Sequence, residues 1–249
     1  MIQNPIRKVL SSMQKNGVAC LLMGGQACIL YGGAEFSRDL DLAIDGAAEN
    51  LVFLQSALAE LQAECIAVPP FAQQYLEMGL AIHFRCQHAD AAKMRIDVMS
   101  RMRGVDPFHL LWQRRTTLAQ EGEAPIDLLG LPDLVQAKKT QRDKDWPMIA
   151  RLLEAHYLQN SANPTATQIT FWLAQMRSPM LLREIVQRFP QEGVHASAQR
   201  PLLSFAHAGD EPGLIHALRE EEDRERAADR AYWLPLKQEL ERLRLQARS

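Results

Sequence analysis

A chain of 249 residues with 47% hydrophobic residues can bury a substantial core, as one large domain or as a domain with a helical extension. Its formal charge of -2 carries no global polyanion-binding signature, so a nucleic-acid contact requires a local basic patch. Cys20, Cys28, Cys65 and Cys86 are too scattered for a disulfide framework, and no apolar run approaches the roughly 20 residues of a bilayer span, which points to reduced thiols in a cytoplasmic protein.

Over residues 4–16, Ile6, Val9, Leu10 and Met13 fall on one helical face, with Gly17 as a stop. Val18 to Met23 is a short continuous apolar run ended by Gly24-Gly25, which suits a buried strand. Gln26 to Tyr31 reads as a short helix stopped by Gly32-Gly33, and Arg38 to Ile44 alternates charged and apolar residues as a half-buried strand does. Residues 51–63 return to helical period through Leu51, Leu54, Leu58 and Leu61. Leu80 to Cys86 and Met94 to Met99 read as two strands joined by QHADAAK in an antiparallel hairpin.

A further strand piece at Ile126 to Leu129 leads through Gly130 into a helix over 132–145, which carries Lys138, Lys139, Arg142 and Lys144. The polar stretch 159–168 reads as a linker, and the chain beyond it is helical. The expected organisation is therefore an α/β (α+β) domain with a small mixed sheet over 1–158, followed by a helical domain over 159–249.

Asp39 and Asp41, one residue apart on a strand, leave the same face while Leu40 and Leu42 pack behind them. Paired carboxylates repel unless a cation joins them, and a hard divalent ion such as Mg²⁺ prefers carboxylate oxygens. The bland alternative is an exposed acidic strand face. Gly24-Gly25, at a strand-to-helix turn, allows a ligand close to the backbone, although an ordinary tight turn needs no ligand. Asp97, between Ile96 and Val98, needs a partner if buried; metal is one candidate and Arg95 another. His83 and His88 read as surface or satisfied core histidines.

Gly24-Gly25, the thirteen-residue gap, Asp39-Leu40-Asp41-Leu42 and Ile96-Asp97-Val98 together resemble the signature of the polymerase-beta-like nucleotidyltransferase superfamily. Asp133-Leu134-Val135-Gln136-Ala137-Lys138, followed by Arg142-Asp143-Lys144-Asp145, resembles its abortive-infection and toxin-antitoxin branch, and the match extends to about residue 155. The resemblance implies transfer of a nucleoside monophosphate from a nucleoside triphosphate to an acceptor hydroxyl. Asp39 and Asp41 would bridge Mg²⁺ or Mn²⁺ ions, and Asp97 would hold the ion that activates the acceptor. Gly24, Gly25 and Ser37 would lie at the triphosphate.

If the helix over 132–145 faces the cleft, Lys138 and Arg142 share a face and clamp phosphate oxygens; otherwise they belong to a solvated basic face. The acceptor would be transfer RNA or a small molecule, with a basic row through Arg177, Arg183 and Arg188 favouring RNA. The helical region would carry homo-oligomer or antitoxin-like contacts. The competing reading is a non-catalytic module that binds a nucleotide or a partner.

Overall fold

Helix α1 (Asn4–Lys15) forms where Ile6, Val9 and Met13 recur at helical spacing, and all three are buried. Its end turns through Gly17, at φ 73°, towards β1 (Cys20–Met23). The computed structural model describes residues 4–34, 36–120 and 123–247. After β1 come α2 (Gly24–Leu30), β2 (Leu40–Ile44), α3 (Ala48–Glu60), β3 (Ala63–Cys65), α4 (Gln73–Glu77), β4 (Ile82–Cys86) and β5 (Arg95–Met99). Then follow α5 (Phe108–Gln113), β6 (Thr116–Gln120), β7 (Glu123–Leu128) and α6 (Leu131–Ala137).

Among the described residues the strands form one seven-stranded sheet in the order β3-β4-β5-β2-β1-β7-β6. β2 pairs β5 in parallel and β1 pairs β7 in parallel, while β1/β2, β3/β4, β4/β5 and β6/β7 are antiparallel. The fold is thus a mixed α/β sheet with a helical C-terminal region, and the expected hairpin is the β4/β5 pair. The sheet is wider than the sequence reading gives, because β3 and β6 extend it at its two edges.

Period-two alternation sorts β2, β4 and β5 into two faces. Leu40, Leu42, Ile82, Phe84, Ile96 and Val98 lie on one face and are all buried. Asp41, His83, Arg95 and Asp97 lie on the other. Asn50, buried near the start of α3, accepts from the Ala19 amide at 2.7 Å and donates to the carbonyls of Ala19 and Asp45, fastening the end of β2 to the start of β1. Glu60 at the end of α3 takes Lys8 and Lys15 of α1, so both helices are tied to each other.

The chain divides into two compact units: Met1–Leu30 with Phe36–Ala137 and Tyr232–Ser249, and Tyr31–Glu35 with Lys138–Ala231. The sheet belongs wholly to the first. This division is discontinuous in sequence. The second unit holds α7 (Asp145–Asn160), α8 (Ala166–Gln175), α9 (Pro179–Arg188), α10 (Pro190–Ser197), α11 (Leu203–Ala208) and the first part of α12 (Glu211–Gln246). Trp172 is fully buried there, edge-on to Tyr157 at 4.9 Å, and its indole N–H donates to His156.

Two expectations need correction. A single helix over 132–145 does not form: α6 ends at Ala137, residues 138–144 make a turn, and α7 begins at Asp145. The stretch 159–168 is a tight helix-helix connection, since α7 runs to Asn160 and Thr165 opens α8 with a capping box to Gln168. No helix among the described residues is long and apolar enough to cross a membrane.

Candidate active site

The parallel register of β2 and β5 sets Asp41 directly beside Asp97, and neighbouring residues in such a pair point to the same face. Asp41 and Asp97 thus share one patch of the sheet, and Asp39 stands in a bend just ahead of β2, two residues before Asp41. Two like charges about 5 Å apart repel by roughly 3 kcal/mol at an effective dielectric near 20, so this arrangement calls for cations.

The turn from β1 into α2 closes over the patch. Gly24 has a φ of 65°, and a β-carbon there would overlap the Asp41 carboxylate. A β-carbon at Gly25 would overlap the side chain of Ser37. Both glycines are therefore needed for the close approach of the β1–α2 turn to Ser37 and Asp41. Gln26, itself buried, donates to the Ser37 carbonyl at 2.9 Å, and the Ser37 hydroxyl donates to the Asp39 carbonyl at 3.3 Å. Gly24, Gly25, Ser37, Asp39, Asp41 and Asp97 are brought together as elements of one unit.

Two further side chains join them. Arg95 Nε donates to Asp97 Oδ1 at 2.8 Å, and His83 Nδ1 lies 2.8 Å from the same oxygen. Arg95 Nη2 stands 3.1 Å from His83 Nδ1. That ring nitrogen can donate to Asp97 or accept from Arg95, but not both at once. All the contacts of Asp97 fall on Oδ1, leaving Oδ2 without a hydrogen bond among the described residues. The Asp97 side chain is only 15% exposed. Burial pushes its pKa up, but hydrogen bonds from His83 and Arg95 and the charges on both outweigh burial and hold the carboxyl below its usual range. Arg95 is correspondingly pushed up, chiefly by its bond to Asp97, with the charges of Asp39 and Asp41 adding to it. The Asp39 carboxylate makes no hydrogen bond or salt bridge among the described residues.

The donor chemistry, carboxylate oxygens of Asp41 and Asp97 on one face of the sheet, suits a hard divalent ion. Convergence is incomplete, and among the described residues no three His, Cys, Asp or Glu side chains are grouped so as to hold a metal ion. Arg95 was one of the partners read for Asp97 in the sequence. His83 was read as a surface or core histidine; the β4/β5 register, which sets it opposite Asp97, is the signal that would have found it.

Lys138 and Arg142 belong to the second unit. They do not share a helical face, because α6 ends at Ala137 and both lie in the turn before α7. Instead both engage Asp145, whose side chain is fully buried: Lys138 Nζ at 3.4 Å, Arg142 Nε at 2.8 Å, and the Thr140 hydroxyl at 2.5 Å. The row expected through Arg177, Arg183 and Arg188 is internally engaged. Arg177 pairs with Glu221, Arg183 with Glu211, and Arg188 donates to the Ala162 carbonyl.

No protein-family model matches the chain, and no curated protein does. Among solved structures, a protein from H. pylori described as a candidate nucleotidyltransferase superposes on 88% of this chain and 92% of its own, at 12% identity and a TM-score of 0.38.

Proposed function

We propose that the sheet unit is a metal-dependent nucleotidyltransferase that moves a nucleoside monophosphate from a nucleoside triphosphate to an acceptor hydroxyl. The observation that supports this best is the in-register pair Asp41 and Asp97, with Asp39 beside them and Gly24 pressed against Asp41. In the reaction the acceptor oxygen bonds to the α-phosphorus, the bond from that phosphorus to the β-bridging oxygen breaks, and pyrophosphate leaves. Asp39, Asp41 and Asp97 would hold Mg²⁺ or Mn²⁺, which when bound neutralises charge on the entering and leaving oxygens. Gly24 and Gly25 would lie at the triphosphate, with the Ser37 side chain packed against Gly25. Asp97 Oδ2, the oxygen that Arg95 and His83 leave open, is the atom assigned to the acceptor side. Phosphate binding by Lys138 and Arg142 is a separate proposal, read out by nucleotide affinity in Lys138→Ala and Arg142→Ala.

A second reading, a nucleotide-binding module without turnover, draws support from the engagement of Asp97 by Arg95 and His83. Incubation of the full chain with each nucleoside triphosphate labelled at the α-phosphorus, Mg²⁺ and a cell extract separates the two. The transferase reading expects label in RNA or in a small molecule, and loss of that label in Asp39→Ala/Asp41→Ala. Nucleotide binding without labelling of any acceptor would establish the second reading instead.

A further inference from the structure

A cavity of about 600 Å³ lies between α1, β1, α5 and β7, all in the first unit. Register sets its floor. Cys20 and Leu22 of β1 pair with Ile44 and Leu42, on the face of the buried Leu40, whereas Asp41 pairs with Met23 on the other face. Leu22 also pairs with Leu128, so Ile126, two residues before it, joins the same floor. The cavity therefore opens on the side of the sheet away from Asp41 and Asp97. Along α1, Arg7, Ser11 and Gln14 recur at helical spacing and form one wall. Trp112 of α5 forms another. Arg115 fixes it, lying over the indole at 4.1 Å from its centre while its Nε donates to Asp127 of β7 at 2.9 Å.

The lining selects the kind of molecule it can hold. Burial, with the charge of Asp127 adding to it, pushes the pKa of the Cys20 thiol up to about 12, so the floor is uncharged at neutral pH. Asp127, the acid on the lining, takes Arg115 and the Thr117 hydroxyl. Helix α1 carries Arg7, Lys8 and Lys15 and no acid. Lys8, also on the lining, joins Lys15 at Glu60 of α3, and Arg7 brings a guanidinium to the wall. The volume falls in the range of small-molecule sites, roughly 300–1,000 Å³. An apolar floor beside a guanidinium matches an organic molecule with an aromatic or aliphatic body and one acidic group.

We propose that this cavity is a binding site for an amphipathic organic anion, separate from the candidate active site, with the apolar body on Cys20, Leu22, Ile126 and Trp112 and the acidic group at Arg7.

The test titrates the full chain with two fluorescent probes that share one body: anilinonaphthalene sulfonate, and phenylnaphthylamine, which lacks the sulfonate. Wild type is compared with Ser11→Trp, Gln14→Trp and Arg7→Gln. Ser11 and Gln14 are exposed on α1, so either tryptophan fills the cavity without entering the core, and each stands in for the other if one does not fold. Wild type is expected to bind both probes saturably. Either tryptophan variant should weaken both by about tenfold or more. Arg7→Gln should weaken the sulfonate by about tenfold and leave the uncharged probe unchanged. Sulfonate binding that both tryptophan variants leave unchanged places the probe elsewhere and overturns the proposal. Sulfonate binding that Arg7→Gln leaves unchanged overturns the assignment of an anion. Absence of saturable binding in wild type overturns the site as well; a wild-type dimer in sedimentation velocity that the tryptophan variants dissociate would then make a second copy of the chain its occupant.

Discussion

Asp145 sits fully buried at the first residue of α7, with Lys138, Thr140 and Arg142 around its carboxylate. Burial pushes its pKa up, but the charge of Lys138, the bond from Thr140 and the charge and bond of Arg142 outweigh it and hold the carboxyl below the usual range. The folded pKa is therefore below the unfolded value of about 3.9, so the contribution is present above that pH and is lost as pH falls through the folded value. Asp145→Asn is expected to lower stability by about 3 kcal/mol at pH 7, since Lys138 keeps a buried charge without its partner. Urea denaturation from pH 7 to pH 3 measures this. The wild-type and variant stabilities should converge as pH drops below about 4, and a constant difference across the range would contradict the assignment.

At the same scale the sequence shows some residues and hides others. The face of Asp41 is legible because period two sets it opposite Leu40 and Leu42, and the Gly24-Gly25 turn because only a turn or a close approach uses such a pair. His83 is hidden, since its meaning depends on which residue of β5 stands opposite, and that is a matter of register. Lys138 and Arg142 looked like a helical pair because the stretch from Lys138 to Lys144 contains no glycine or proline to mark the break.

The turn from β1 into α2 is the element on which the candidate site depends most. Gly24→Ala adds a β-carbon that overlaps Asp41 and places a non-glycine residue at φ 65°, at a cost of roughly 1–3 kcal/mol in backbone strain alone. The same substitution should weaken nucleotide binding, because Asp41 or the turn must move to make room. Denaturation and nucleotide titration of Gly24→Ala check both effects; unchanged stability together with unchanged affinity would remove the turn from the site. Elements with strong periodicity, α1, β2 and the β4/β5 pair, were legible from the sequence. β3 was not, because Ala63-Glu64-Cys65 is too short to alternate detectably. β6 begins with Thr116-Thr117, a β-branched signal that a reading centred on apolar runs passes over.

The chain as a whole was legible as a mixed sheet followed by helices, but its two units interleave in a way that composition along the chain cannot express. In the helical unit, the charged run of α12 resembles a solvated face. Glu221 nonetheless takes Arg177 and Arg200, and Asp229 is buried and accepts from the Gln141 amide at 2.8 Å. Those partners lie more than 20 residues away in sequence, beyond the reach of a local pattern. The functional account rests on the sheet unit, and its central claim concerns which bond of the triphosphate breaks. The direct measurement compares nucleoside triphosphate labelled at the α- or the γ-phosphorus, with Mg²⁺ and a cell extract, for wild type and Asp39→Asn/Asp41→Asn. The account predicts α-label on the acceptor and γ-label released as pyrophosphate, with both lost in the double variant. Transfer of the γ-label to the acceptor, or turnover that survives the double variant, would contradict it.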